Sequence, residues 1–113
     1  MIVLITGVSS SPGYKTAVNL ANRYEVIGTY NEHPISVPGA TTVKADLTRD
    51  SARLISDYKP DVVIHMAAIG NVDQCEEQLE LCYRVNVVAS RDLLTAAYRV
   101  GSAIYYLSTD YVF

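Results

Sequence analysis

The chain has 113 residues and a formal net charge of −3, with half of its residues apolar and 19% charged. That length suits one domain with a genuine buried core, and the balance is ordinary for a globular protein. Its nine basic residues are scattered, which argues against nucleic acid or an anionic membrane as partner. No apolar run nears the roughly 20 residues that cross a bilayer.

The opening MIVLIT lacks a positive flank and is too short for a secretory signal, so it reads as a buried strand. Cys75 and Cys82 fall seven apart in one predicted helix. They share a face but stand two turns apart, too far for a disulfide. His33 and His65 are distant from them in sequence, so no metal site is expected. A reducing cytoplasm suits this cysteine usage.

Taken in chain order, Ile2 to Thr6 is an apolar run of strand length ending at Gly7, and a helix is expected from Pro12 to Arg23. Glu25 to Tyr30 and Thr41 to Lys44 read as the second and third strands, and Asp46 to Tyr58 as a short helix closed by Pro60. Asp61 to Met66 is a fourth strand. Val72 to Val100 holds one long helix, or a short one and then a long one, with Gly101 as its C-cap. Ser102 to Leu107 is the fifth strand. Strands and helices in alternation predict an α/β fold, a doubly wound parallel sheet of about five strands in the order 3-2-1-4-5. Runs that are apolar on both faces fit a sheet covered by helices on both sides. This is the Rossmann-type arrangement, with its crevice at the carboxyl ends of strands one and four.

The segment Thr6-Gly7-Val8-Ser9-Ser10-Ser11-Pro12-Gly13 joins the first strand to the first helix. A dinucleotide needs a tight turn there, bare amides near its pyrophosphate and close helix packing. Gly7 and Gly13 meet the first and last needs, while Ser10 stands where a middle glycine is usual. Its hydroxyl can bond a phosphate, but its Cβ holds the backbone further away. Pro12 suits a first helical turn and removes one amide.

At the end of strand two, Asn31 can bond either NAD or NADP, and Glu32 favours NAD if it turns inward; a solvated loop is the plain alternative. Asp46 and Leu47 are placed to flank an adenine ring, and Asp46 equally suits a helix N-cap. Met66, Ala67 and Ala68 open a small-residue turn after strand four that lets a cofactor approach the backbone; a close-packed turn is the alternative. His65 reads as a satisfied core histidine rather than a ligand, and Asn86, mid-helix, as a buried hydrogen-bonding group. Ser108-Thr109-Asp110 ends strand five, where a hydroxyl can polarise a substrate carbonyl or simply belong to a polar turn.

Tyr83-Arg84-Val85-Asn86, Leu93-Leu94-Thr95-Ala96-Ala97 and Tyr106-Leu107-Ser108-Thr109-Asp110-Tyr111-Val112-Phe113 together resemble the extended short-chain dehydrogenase/reductase family. Within it the chain is most similar to dTDP-4-dehydrorhamnose reductases and the related regulatory β subunit of methionine adenosyltransferase. The resemblance covers the whole chain but only the first third or so of a family member. It implies cofactor contacts from Gly7, Ser9, Ser10, Ser11, Pro12 and Gly13, from Asp46 and Leu47, and from Met66, Ala67 and Ala68. It makes Thr109, with Asp110 beside it, the catalytic hydroxyl.

The implied activity is an NAD(P)-dependent reduction of a nucleotide-linked 4-keto sugar. A non-catalytic dinucleotide-binding subunit and a sugar-nucleotide epimerase or dehydratase are the alternatives. The implied partners are the dinucleotide, NADP or NAD, and a nucleotide-sugar substrate, with room for a homodimer. The family's Tyr-x-x-x-Lys helix would fall beyond Phe113. Residues 1–113 are therefore expected to be the truncated NAD(P)-binding domain, without the substrate-binding part and not competent alone in hydride transfer. Ending at Phe113 would also leave strand five as an exposed apolar edge.

Overall fold

The computed structural model describes residues 1–66 and 87–106. They form β1 (Ile2–Thr6), α1 (Ser11–Ala21), β2 (Glu25–Tyr30), β3 (Thr41–Lys44), α2 (Leu47–Tyr58), β4 (Val62–His65), α3 (Ala89–Arg99) and β5 (Ala103–Tyr106). Ala67 to Asn86, with both cysteines, lie outside the described residues, as do Leu107 to Phe113.

The five strands make one sheet in the order β3-β2-β1-β4-β5, as expected from the sequence. Every pair is parallel, and Leu4 at the centre stands opposite both Ile27 and Val63. Side chains alternate across a strand, so an apolar run supplies both faces. Val3 and Ile5 join Val8, Ala17, Val26 and Val37 on the face that α1 covers. Leu4, Ile27 and Val63 join Ile55, Leu93 and Ala97 on the face that α2 and α3 cover. The connection from Tyr30 to Thr41 is irregular and is anchored by buried Val37.

Local chemistry sets the element ends. The Asp46 carboxylate accepts from the Thr48 N–H at 3.0 Å and the Thr48 hydroxyl at 2.6 Å. In return, the Asp46 N–H donates to the Asp50 carboxylate at 2.9 Å, a reciprocal cap that starts α2. Lys59 ends α2 in the left-handed region (φ 45°), just before Pro60. Gly101 (φ 79°) follows α3 and forms a Schellman motif: its N–H donates to Tyr98 O, and the Ser102 N–H to Ala97 O.

Some boundaries differ from expectation. α1 begins at Ser11 because Ser10 caps it, and it stops at Ala21 rather than Arg23. β4 is shorter than Asp61 to Met66. The Asp61 carboxylate accepts the Ile2 N–H at 2.7 Å, and the Met66 N–H turns to the Thr6 hydroxyl at 2.8 Å. β5 starts at Ala103, since Ser102 closes the Schellman motif and donates its hydroxyl to Pro60 O.

Candidate functional site at the carboxyl edge of the sheet

Because all strands run parallel, the loops leaving β1, β2, β3 and β4 open at one edge. That edge brings together the Gly7–Gly13 loop, Asn31, Asp46, Leu47 and Met66. The chain reverses its winding between β1 and β4, which makes their ends the switch point of the sheet.

The β1–α1 loop is tightly built. Gly7 has φ 77°, a left-handed conformation that suits glycine. The Gly7 and Val8 amides both donate to Thr29 O, at 3.1 and 3.0 Å, which ties the turn to β2. Val8 is fully buried and rests on Gly28, where a Cβ would come within 2.7 Å of the valine Cγ1. Sequence reasoning passed over Gly28; a glycine inside an apolar strand was the available sign of close approach.

Ser10 does not aim its hydroxyl outward. It donates to Gly7 O at 2.8 Å and accepts the Gly13 N–H at 3.2 Å, acting as the N-cap of α1. Its proton is thereby committed to the loop itself. The capped turn leaves a specific set of donors. Pro12 has no N–H, and the Gly7, Val8, Ser10 and Gly13 amides are bonded within the fold. Ser9 and Ser11 are exposed, and their amides and hydroxyls make no hydrogen bond among the described residues. Four donors at the start of an 11-residue helix suit an anionic diphosphate, which the helix dipole also favours.

Asn31 and Glu32 are exposed beyond β2, without a partner among the described residues. Asp46 serves as the N-cap and also pairs with Arg49 at 3.4 Å. The Thr48 hydroxyl beside it holds its carboxyl below the usual carboxylate range. Leu47 is largely buried, in one cluster with Ala45, Leu54 and Ala89. Met66 is half-buried at the end of β4. Ala67, Ala68, Thr109 and Asp110 lie outside the described residues.

His65 is 1% exposed at the switch point, a satisfied core histidine as expected. Its Nδ1 bonds the Thr6 hydroxyl and its Nε2 the Ser90 hydroxyl, each at 2.8 Å. Burial pushes its pKa down to about 4, so the ring is neutral at pH 7. Nothing local in the sequence points to this chain, because Thr6 and Ser90 lie 59 and 25 residues away.

A doubly wound parallel sheet with a glycine-hinged helix start at its switch point defines a Rossmann-type α/β domain. The family described as the RmlD substrate binding domain matches residues 1–113, and the chain belongs to that family. It is 37% identical over 114 residues to the dTDP-4-dehydrorhamnose reductase of Aggregatibacter actinomycetemcomitans, covering 98% of this chain and 35% of that protein. It is 50% identical over 60 residues to methionine adenosyltransferase 2 subunit beta of Xenopus laevis, covering 53% of this chain and 18% of that protein. The crystal structure of a hypothetical dTDP-4-dehydrorhamnose reductase from Sulfolobus tokodaii superposes with a TM-score of 0.88 at 39% identity. That match covers 100% of this chain and 41% of the other, so the chain spans well under half of these relatives. No helix among the described residues is long and apolar enough to cross a membrane.

Proposed function

We propose that this chain is the dinucleotide-binding part of an NAD(P)-dependent reductase of a nucleotide-linked 4-keto sugar. The observation that carries this reading is the β1–α1 loop, whose only uncommitted donors, among the described residues, sit at a helix start beside the switch point. In it the Ser9 and Ser11 amides and hydroxyls hold the diphosphate, with Gly7 and Gly13 shaping the turn and Ser10 and Pro12 building its helical side. Asn31 lies toward the adenosine ribose, Asp46 and Leu47 border the adenine, and Met66, Ala67 and Ala68 border the nicotinamide ribose. Thr109 polarises the substrate carbonyl, with Asp110 beside it. The bound dinucleotide, NADP or NAD, supplies the hydride. The reduction also needs a proton donor for the new hydroxyl, and the reductase relatives are longer than this chain, which covers 35% and 41% of them.

The test has two stages. Calorimetric titration of this chain with NADH and NADPH is expected to give saturable binding of at least one. Absence of binding of both at millimolar concentration would end the dinucleotide reading. A protein extended to the length of its relatives is then expected to oxidise NAD(P)H when given a dTDP-4-dehydro sugar. The second reading is a dinucleotide-holding regulatory subunit, favoured by the 50% identity to the methionine adenosyltransferase subunit. Binding without any turnover would select it.

A further inference from the structure

We infer that His65 is a positioning residue that fixes where β4 opens into the crevice, and thereby governs how the nicotinamide half of a dinucleotide is held. This rests on the dinucleotide reading above and deepens it.

The imidazole ties three elements together at one point. Its Nδ1 bonds Thr6 at the end of β1, and its Nε2 bonds Ser90 in the first turn of α3. The Thr6 hydroxyl also accepts the Met66 N–H at 2.8 Å, so the first peptide beyond β4 hangs on the same group. The Tyr106 ring, at the end of β5, packs against the imidazole with centroids 5.3 Å apart.

A neutral imidazole offers one donor and one acceptor. Thr6 and Ser90 can each donate or accept, so either tautomer satisfies both contacts, and the ring is locked in place from both sides. An apolar side chain of similar shape would take this partner away from the buried Thr6 and Ser90 hydroxyls. What the histidine adds is a fixed orientation, since three directional bonds of 2.8 Å leave β1, β4 and α3 little freedom to slide.

The placement makes this matter for one half of the ligand. In a doubly wound sheet the diphosphate lies at the start of the first helix and the adenosine lies over the end of β2. The other half crosses the switch point toward β4, where Met66 stands.

The experiment is calorimetric titration of NADH, NADPH and ADP into the wild type, His65→Phe, Ser90→Ala and the double variant. ADP carries only the adenosine and diphosphate. The dissociation constant for the dinucleotide is expected to rise about ten-fold in Ser90→Ala, which loses one hydrogen bond, and at least as much in His65→Phe, which loses two. The double variant should be no weaker than His65→Phe, because both changes break the same chain. The ADP affinity should stay within about two-fold of wild type, which a general loosening of the fold would not allow. Equal losses for ADP and dinucleotide, unchanged dinucleotide binding, or additive losses in the double variant would each overturn the inference. A wild type that binds neither dinucleotide removes the functional reading and this inference with it. Should His65→Phe fail to fold, Ser90→Ala carries the same comparison, with the same outcomes for and against.

Discussion

Helix α1 meets the end of β1 so closely that a Cβ on Gly13 would lie 2.1 Å from the carbonyl oxygen of Gly7 and 2.9 Å from its carbon. These are backbone atoms, and Gly7 is held from both sides. Its N–H donates to Thr29 O, and its carbonyl accepts from the Ser10 amide and hydroxyl. Gly13→Ala must therefore push the helix off the strand. We expect a loss of about 3 kcal/mol, the upper end for overpacking, because no flexible side chain can give way. Urea denaturation followed by circular dichroism measures it, and an unfolding midpoint equal to wild type would contradict the packing described.

Gly28 faces a side chain instead, with Val8 Cγ1 and Cγ2 at 2.7 and 3.0 Å from its would-be Cβ. Gly28→Ala alone should destabilise by roughly 1–3 kcal/mol. Val8→Ala creates space at the same spot, so the double variant should be more stable than the two separate losses predict. A strictly additive cycle in denaturation experiments would show that the two residues do not share this contact.

Ser10 separates two uses of one hydroxyl. As an N-cap bonded to Gly7 O and the Gly13 N–H, its removal in Ser10→Ala should lower stability by about 1 kcal/mol. Binding of NADH or NADPH, where the wild type shows it, should change only a few-fold, because the hydroxyl points into the loop. Abolished binding at unchanged stability would mean that the hydroxyl serves the phosphate after all.

Acid should destabilise the fold through His65. Its pKa falls from 6.5 in the unfolded chain to about 4 in the native state. Between those values the unfolded state binds more protons, so stability declines as pH drops and is undiminished above about 6.5. The full decline is on the order of 3 kcal/mol. Asp46, whose carboxyl is held low mainly by Thr48, acts in the same sense but at lower pH. Denaturation midpoints at pH 7.5 and 4.5 should differ strongly for the wild type and much less for His65→Phe. Equal pH dependence in both proteins would count against His65 as the group responsible.

Most of the sheet could be read along the chain, because the apolar runs Ile2–Thr6, Glu25–Tyr30 and Val62–His65 carry their own signal, and alternation with helical segments leaves few topologies. One helix start and one helix stop were legible for the same reason: Asp46 and Gly101 act on atoms within a few residues. Ser10 was visible as a departure from the glycine pattern, but the direction of its hydroxyl depended on how near α1 lies to Gly7.

The chain by itself determined the order of elements, the glycine hinges at Gly7 and Gly13, and the crevice that parallel strands must leave at their carboxyl ends. Local periodicity and turn chemistry act between neighbours, so a single sequence records them. Only the tertiary structure decided that Val8 rests on Gly28, that Ser10 turns inward, and that Thr6, His65 and Ser90 form one chain across β1, β4 and α3. Those relations join groups distant along the chain or fixed by close packing, and they exist only once hydrophobic burial has set the strands and helices side by side.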